Sequence, residues 1–213
     1  MLGMYPISVD LVGRRCLVVG GGKVGLRKVE TLLQCGAVID LISPGVVSEL
    51  KELADQGKIN WKCHDFDGSD LRGYMMVFAC TDNESTNQMV FEMCKEANIL
   101  VNTVDDPQKC NFFVPATVRR GALTIAISTE GNSPLLARRI REQLERQYGN
   151  EYVDYLEILG EARVLVKKMI PDEDLRRELF HRILAVDVIP LLEQGRKTEA
   201  KERVLQCIYS WPD

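Results

Sequence analysis

The sequence predicts an α/β protein: a Rossmann-like, doubly wound parallel sheet, followed by a small α+β segment and a C-terminal helical domain. Three observations carry that expectation. Residues 15–28, RCLVVGGGKVGLRK, pass from a short apolar run directly into three glycines and then into a helical pattern. The first half of the chain alternates short apolar runs with amphipathic stretches, as a parallel sheet with crossover helices requires. Beyond Asn111 the alternation stops, and from about residue 151 onward the segments all read as helix.

The first strand, residues 16–19, ends in the turn itself. Gly20, Gly22 and Gly25 satisfy G-x-G-x-x-G between strand and helix. Glycine is needed there for a tight turn, for close approach of the backbone to a pyrophosphate, and for close packing of helix on strand. Val29, Leu32 and Leu33 then fall at helical spacing, and Gly36 is placed to stop that helix. Phosphates would sit at the helix N-terminus, where unpaired N–H groups and the helix dipole favour negative charge. A glycine turn can serve structure alone; strand, turn and helix in the right order are what point to a dinucleotide.

Residues 37–43 read as a second strand broken by Pro44-Gly45, 46–56 as a helix, and 59–63 as a short third strand. The apolar run 74–80 is a fourth strand. Thr81-Asp82-Asn83 supplies N-cap chemistry for a helix to about Ala97, and 99–104 is a fifth strand ending in Asp105-Asp106-Pro107. Ligands of open doubly wound sheets bind beyond the carboxyl ends of the strands. The loops 20–25, 81–83 and 102–106 therefore converge on one crevice, with 43–45 reaching its adenosine end. Taken singly, Asp82, Asn83 and Asp106 fit equally well as helix caps and turn formers.

Past Asn111, residues 112–117, 118–120 and 123–128 read as short β segments around Arg120-Gly121. Ser133 as N-cap and Pro134 at the first helical position open a helix over 135–148 that carries Arg138, Arg139, Arg141 and Arg146. Helices follow at 152–169, 172–186 and 198–209, with breaks at Pro171 and Pro190. The expected division is 1–113 for dinucleotide binding, 114–150 for dimerisation and substrate, and 151–213 as the helical domain. A tail of about 60 residues is short for an independent core, so it is expected to pack on the rest or on another subunit.

The net charge of −4 gives no global attraction to nucleic acid or an anionic membrane, and no apolar run approaches the roughly 20 residues of a membrane span. No secretory signal pattern is visible, so a cytoplasmic location is expected. The seven cysteines include no C-x-x-C pair, and Cys16 and Cys80 lie in apolar runs as small buried hydrophobes do. With only His64 and His181, and Cys63-His64 lacking a partner pair at ligand spacing, no metal site is expected.

Several motifs stand together: Tyr5-Pro6-Ile7 with Leu11-Val12-Gly13-Arg14, the glycine turn with Arg27-Lys28, Ala79-Cys80-Thr81-Asp82, Asn102-Thr103-Val104-Asp105, Phe112-Phe113-Val114-Pro115, and Gly131-Asn132-Ser133-Pro134 with Leu136-Ala137-Arg138. In order and spacing over most of residues 5–150 the chain resembles the precorrin-2 dehydrogenases, the family that includes a module of siroheme synthase. The resemblance implies NAD-dependent oxidation of precorrin-2 to sirohydrochlorin, insertion of ferrous iron in some members, and a homodimer. It places the catalytic aspartate on Asp105, cofactor contacts on Lys23, Val24, Pro44 and Gly45, and a substrate-side serine on Ser128. Gly25 stands where many members carry alanine, a departure expected to be harmless. Because fused siroheme synthases continue into a methyltransferase domain, precorrin-2 is expected to arrive from a separate uroporphyrinogen methyltransferase.

The expected cofactor set is Gly20, Gly21, Gly22, Lys23, Val24, Gly25, Ser43, Pro44, Gly45, Thr81, Asp82, Asn102 and Val104. Asp105 is the candidate base, with a turn former before Asp106-Pro107 as its plain alternative. A polycarboxylate substrate needs local positive charge, which Arg119 and Arg138 offer with the helix opening at Ser133; Arg141 and Arg146 read as a solvated face. Residues alone favour neither NAD nor NADP, because the acid that usually follows strand two is replaced by Ser43-Pro44; the family resemblance tips the expectation to NAD. Two other readings remain: a non-catalytic dinucleotide-sensing dimer, and a chelatase with little dehydrogenase activity.

Overall fold

The computed structural model describes residues 3–68 and 71–211. The outer ends of the first and last expected domains, 1–2 and 212–213, lie outside the described residues. The chain divides into two compact units, Met1–Val114 and Pro115–Asp213.

The first unit holds β1 (Arg15–Gly21), α1 (Lys23–Gln34), β2 (Val38–Val46), α2 (Ser48–Asp55), β3 (Asn60–Lys62), β4 (Met76–Ala79), α3 (Glu84–Glu96) and β5 (Leu100–Thr103). The strands are parallel and lie in the order β3-β2-β1-β4-β5. Strand order reverses at β1, so the switch point opens at its carboxyl end, where the glycines are. Cys16 through Gly21 are all buried, because helices cover both faces of a parallel sheet; hence the unbroken apolar run rather than an alternating one. On one face Val18, Leu41 and Phe78 pack with Val29, Leu32 and Leu50 from α1 and α2. On the other, Leu17, Val19, Val77 and Val101 pack with Val90 and Cys94 of α3. Asn83 caps α3 by accepting the Thr86 N–H at 3.1 Å.

Strand two differs from expectation. Pro44-Gly45 does not break it; β2 continues to Val46 through an irregularity in which Val19 pairs with Ile42 but Gly21 pairs with Val46. Proline has no N–H for the ladder and is tolerated in a strand where the ladder bulges. Helix α2 accordingly starts at Ser48 rather than at 46.

In the second unit β6 (Ala116–Arg120) and β7 (Leu123–Ile127) form an antiparallel hairpin that turns through Gly121 at φ +56°. Residues 112–115 form no strand, so two β segments replace the three expected. Helix α4 (Pro134–Gln147) follows, then α5 (Glu151–Met169), α6 (Glu173–Ala185), α7 (Ile189–Glu193) and α8 (Lys197–Tyr209). Pro190, expected as a break, sits in the first turn of α7, where its missing N–H costs nothing. Val166, Leu179, Ile183, Val204 and Ile208 form the centre of a helical core. The tail therefore buries apolar faces of its own, more than its length suggested. Lys197 pairs with Asp154 and Glu157, and Lys201 with Glu161, tying α8 to α5; such exposed pairs contribute about 0–1 kcal/mol each. Among the described residues no helix is long and apolar enough to cross a membrane.

Candidate functional site

The three motif glycines meet three different surroundings. Gly20 has φ +113°, and a Cβ there would lie 2.5 Å from Cys80 O. Gly20 therefore lets β1 turn hard against the end of β4. A Cβ on Gly25 would lie 2.2 Å from Gly20 O; this glycine seats α1 on the turn. The position is narrower than the alanine of other members implies: in this backbone even alanine would push the turn aside. Around Gly22 the Cβ direction is open, with nothing within 4 Å, and its backbone is extended at φ −82°. Gly21, between them, would place a Cβ 2.3 Å from Gly45 O.

That last contact draws the β2 loop onto the glycine turn. Ser43 Oγ donates to Gly45 O at 2.6 Å, Trp61 Nε1 donates to Ser43 O at 3.0 Å, and Val47 N–H donates to Gly21 O at 2.9 Å. Ser43 is buried with its hydroxyl committed, while Pro44 and Gly45 are exposed at the rim. Helix α1 opens at Gly22 with no side-chain cap and no acid in its first turn. Uncapped N–H groups beneath an open glycine fit the pyrophosphate of a dinucleotide. Lys23 and Val24 are the first two residues of that turn, the former exposed and the latter half-buried.

At the ends of β4 and β5 the polar residues divide by task. Thr81 Oγ1 donates to Asn87 Oδ1 at 2.9 Å and accepts the Asn83 N–H at 3.2 Å, and Asp82 beside it is exposed. Asn102 is buried; its amide donates to Phe112 O at 3.2 Å and so holds the returning chain. Val104 N–H donates to Ala79 O at 3.0 Å, extending the ladder past β5. Asp106 accepts the Gln108 N–H at 3.1 Å and pairs with Lys109 at 3.0 Å, which holds its carboxyl below the usual carboxylate range. Asp105 does none of this. It is exposed at φ +60°, and no described residue hydrogen-bonds or pairs with its carboxylate. Asp105 holds the left-handed position of the Val104-Asp105 turn, as its plain alternative has it, while Asp106 caps the short turn that follows.

The glycine turn, Pro44-Gly45, Cys80-Thr81 and the Val104-Asp105 turn thus share the carboxyl edge of one sheet. Sequence reading missed three features of this unit. Asp40, the acid inside β2, is buried and committed: it accepts from Arg15 at 2.5 Å, from Asn60 at 2.8 Å and from the Tyr74 hydroxyl. Burial alone would raise its pKa, but the hydrogen bonds from Tyr74, Arg15 and Asn60 outweigh burial and hold the carboxyl below its ordinary range. It is unavailable to a ribose. The hydroxyl of Thr103 is buried with no partner. Lys28 is half-buried over the Phe78 ring. None of these could be read locally, since each depends on segments far apart in the chain.

In the second unit Ser128 is exposed and its Oγ accepts the Glu130 N–H at 3.1 Å. Ser133 caps α4, accepting the Leu136 N–H at 3.3 Å, while its own N–H donates to Thr129 Oγ1 at 3.2 Å. Arg138 is exposed and bound to Glu142 at 2.9 Å along the helix. Arg119 is exposed on β6. Arg141 pairs with Glu145 at 2.5 Å, as a solvated helix face would.

The parallel sheet, its switch point and the open glycine turn define a dinucleotide-binding protein of the Rossmann type. Residues 7–116 match a family described as putative NAD(P)-binding, and residues 120–147 match one described as sirohaem biosynthesis protein central. The solved structure of SirC, a precorrin-2 dehydrogenase, superposes with a TM-score of 0.79 at 31% identity, covering 98% of this chain and 100% of SirC. The siroheme synthase of Thioalkalivibrio sulfidiphilus is 37% identical over 207 residues, and that of Acinetobacter baylyi 38% over 209. These matches take in 97% and 98% of this chain but 42% and 46% of those relatives, so the chain spans less than half their length. The chain belongs to the NAD(P)-binding family of precorrin-2 dehydrogenases and siroheme synthases.

Proposed function

We propose that this protein oxidises precorrin-2 to sirohydrochlorin with NAD as the hydride acceptor. The observation that carries the reading is the similarity to a precorrin-2 dehydrogenase across the whole of both chains. NAD is preferred over NADP on the likeness to a precorrin-2 dehydrogenase, since residues 43–48, Ser-Pro-Gly-Val-Val-Ser, carry neither an acid for a ribose nor a base for a 2′-phosphate.

The oxidation removes a hydride and a proton from the macrocycle. Bound at the glycine turn, NAD would take the hydride and leave as NADH. Gly22 and the first N–H groups of α1 hold the pyrophosphate, with Gly20, Gly21, Gly25, Lys23 and Val24 shaping that turn. Ser43, Pro44 and Gly45 border the adenosine end, and Thr81, Asp82, Asn102 and Val104 shape the nicotinamide end. Asp105, an unpaired carboxylate at the same edge, accepts the proton. Ser128, Ser133, Arg119 and Arg138 recognise the substrate's carboxylates, Arg138 by exchanging Glu142 for one of them. In this reading residues 1–113 bind the cofactor, 114–150 serve dimerisation and substrate, and 151–213 support them. The protein works as a cytoplasmic homodimer on substrate made by a uroporphyrinogen methyltransferase.

The test is direct. Precorrin-2 and NAD⁺ supplied to the pure protein should give sirohydrochlorin and NADH in equal amounts; absence of both overturns the reading. Sedimentation equilibrium should give twice the chain mass, and a monomer at micromolar concentration would refute the dimer. A second activity, insertion of ferrous iron, is favoured by the free carboxylate of Asp105, which could also take the pyrrole protons. Added iron as substrate should then convert sirohydrochlorin to siroheme, and no conversion would remove this activity.

A further inference from the structure

Arg27-Lys28 follows the glycine turn, yet the reaction as described uses neither residue. Lys28 is the sixth residue of α1, about 7.5 Å along the helix from Lys23. Its Nζ lies 5.2 Å from the centre of the Phe78 ring on β4, and its electrostatic neighbours are Arg27 and the thiols of Cys80 and Cys110. Cys80 is the residue against which Gly20 turns. Cys110 Sγ accepts the Thr103 N–H at 3.2 Å and reaches Asp106 O at 3.3 Å. The two thiol neighbours of the ammonium thus belong to residues that adjoin the glycine turn and the Asp106 turn.

No described carboxylate pairs with it. Burial pushes the Cys80 thiol up to about 11 and Cys110 also upward, so both neighbours are neutral at pH 7. Asp106 is already engaged by Lys109. Burial likewise lowers the pKa of Lys28 itself, as expected of a cation short of a counter-charge. A leucine or methionine would cover Phe78 without that desolvation cost, so packing alone does not explain a lysine here.

We propose that Lys28 binds a peripheral carboxylate of the macrocyclic substrate on the α1 side of the crevice. This rests on the reading of the substrate as a tetrapyrrole polycarboxylate. The competing anion is the cofactor's pyrophosphate. Its place, however, is the open side of Gly22 at the start of α1, whereas Lys28 stands more than a turn further along the helix.

Lys28→Met keeps the stem on Phe78 and removes the charge, and thermal melting checks that it folds; Lys28→Gln serves as a second neutral variant. Sirohydrochlorin, the stable product, is the probe in an absorbance titration, with NAD⁺ measured separately by calorimetry. Sirohydrochlorin affinity should fall ten- to hundredfold, the usual loss with one charge-assisted hydrogen bond. NAD⁺ affinity should stay within about twofold, and Lys28→Arg should recover most of the loss. Unchanged sirohydrochlorin affinity would make Lys28 a packing residue, and weakened NAD⁺ binding alone would assign it to the pyrophosphate; either overturns the proposal. Should the unmodified protein bind no sirohydrochlorin at all, the substrate reading fails first, and this proposal with it.

Discussion

The two ends of the parallel sheet treat charge in opposite ways. At the amino end Asp40 is buried and satisfied by Arg15 and Asn60, at the starts of β1 and β3, and by Tyr74 just before β4. At the carboxyl end Asp105 stands unpaired at positive φ, Thr103 has an orphaned hydroxyl, and Lys28 lacks a counter-charge. The amino end resembles a protein interior, where buried polar groups find partners. The carboxyl end leaves groups unpaired, and strain with unmet polar capacity collects where a ligand completes the structure. Stability and chemistry are thus separated by the length of a strand, and Asp40→Asn and Asp105→Asn, at the two ends, should each report on one and spare the other.

The largest effect should come from Asp105→Asn. The change keeps shape but removes the base, so turnover of precorrin-2 should fall by about a hundredfold to ten-thousandfold. NAD⁺ affinity and melting temperature should move little. Near-normal turnover would remove Asp105 from the chemistry.

Gly22→Asp comes next. Nothing lies within 4 Å of the new Cβ and the backbone is extended there, so the variant should fold. Its carboxylate would then occupy the place meant for pyrophosphate. NAD⁺ affinity should drop at least about a hundredfold in calorimetry, a coupling of the size seen for close like charges in a site. Gly25→Ala is the control from the structural side: its Cβ meets Gly20 O at 2.2 Å, so it should lose stability as well as affinity.

At the opposite end Asp40→Asn should cost about 2 kcal/mol in urea unfolding while leaving turnover intact. The Arg15 side chain is 49% exposed, which screens part of the pair. The pH dependence follows from the shifts. Asp40 has a folded pKa below its unfolded value of roughly 3.9, so its contribution is complete above that pH and is lost as pH falls through the folded value. Burial and the bond to Asp40 push Tyr74 up to about 12, so its contribution is complete below roughly pH 10 and is lost as pH rises towards 12. Asp40→Asn should flatten both limbs of the stability profile; an unchanged acid limb would show that Asp40 carries no linkage.

The same contrast explains what could be read from sequence. The glycine turn, the Asn83 cap and the Ser133-Pro134 helix start depend on residues within a few positions of each other, so they were legible. The network of Asp40 joins residues 20, 25 and 34 positions away, and no local pattern announces it. Pro44 marks a bulge rather than a strand end, and the room for it depends on Gly21 of the neighbouring strand, whose missing Cβ admits Gly45 O. The sequence marks Arg138 as a cation one turn into the helix, and Glu142 four residues on binds it. Nothing local marks the setting of Lys28, since the ring beneath it comes from β4, fifty residues away.

The smallest predicted change in stability is the sharpest test of the comparison. Asp105 sits at φ +60°, a conformation that glycine adopts freely and aspartate only at some cost. If its side chain supported the turn, Asp105→Gly would weaken the fold. Its carboxylate has no partner, however, and Asp106 already caps the following turn and binds Lys109. Relief of the backbone is offset in part by the greater freedom of glycine in the unfolded chain. The net change should be a gain of about 0.5 kcal/mol, read as a small rise in urea midpoint at constant slope, with turnover lost as in Asp105→Asn. A stability loss beyond about 0.5 kcal/mol would mean that the carboxylate holds the turn after all. A gain alongside lost turnover would mean that the chain accepts a strained backbone at this end of the sheet for the sake of the proton it must take, a cost absent from the satisfied end.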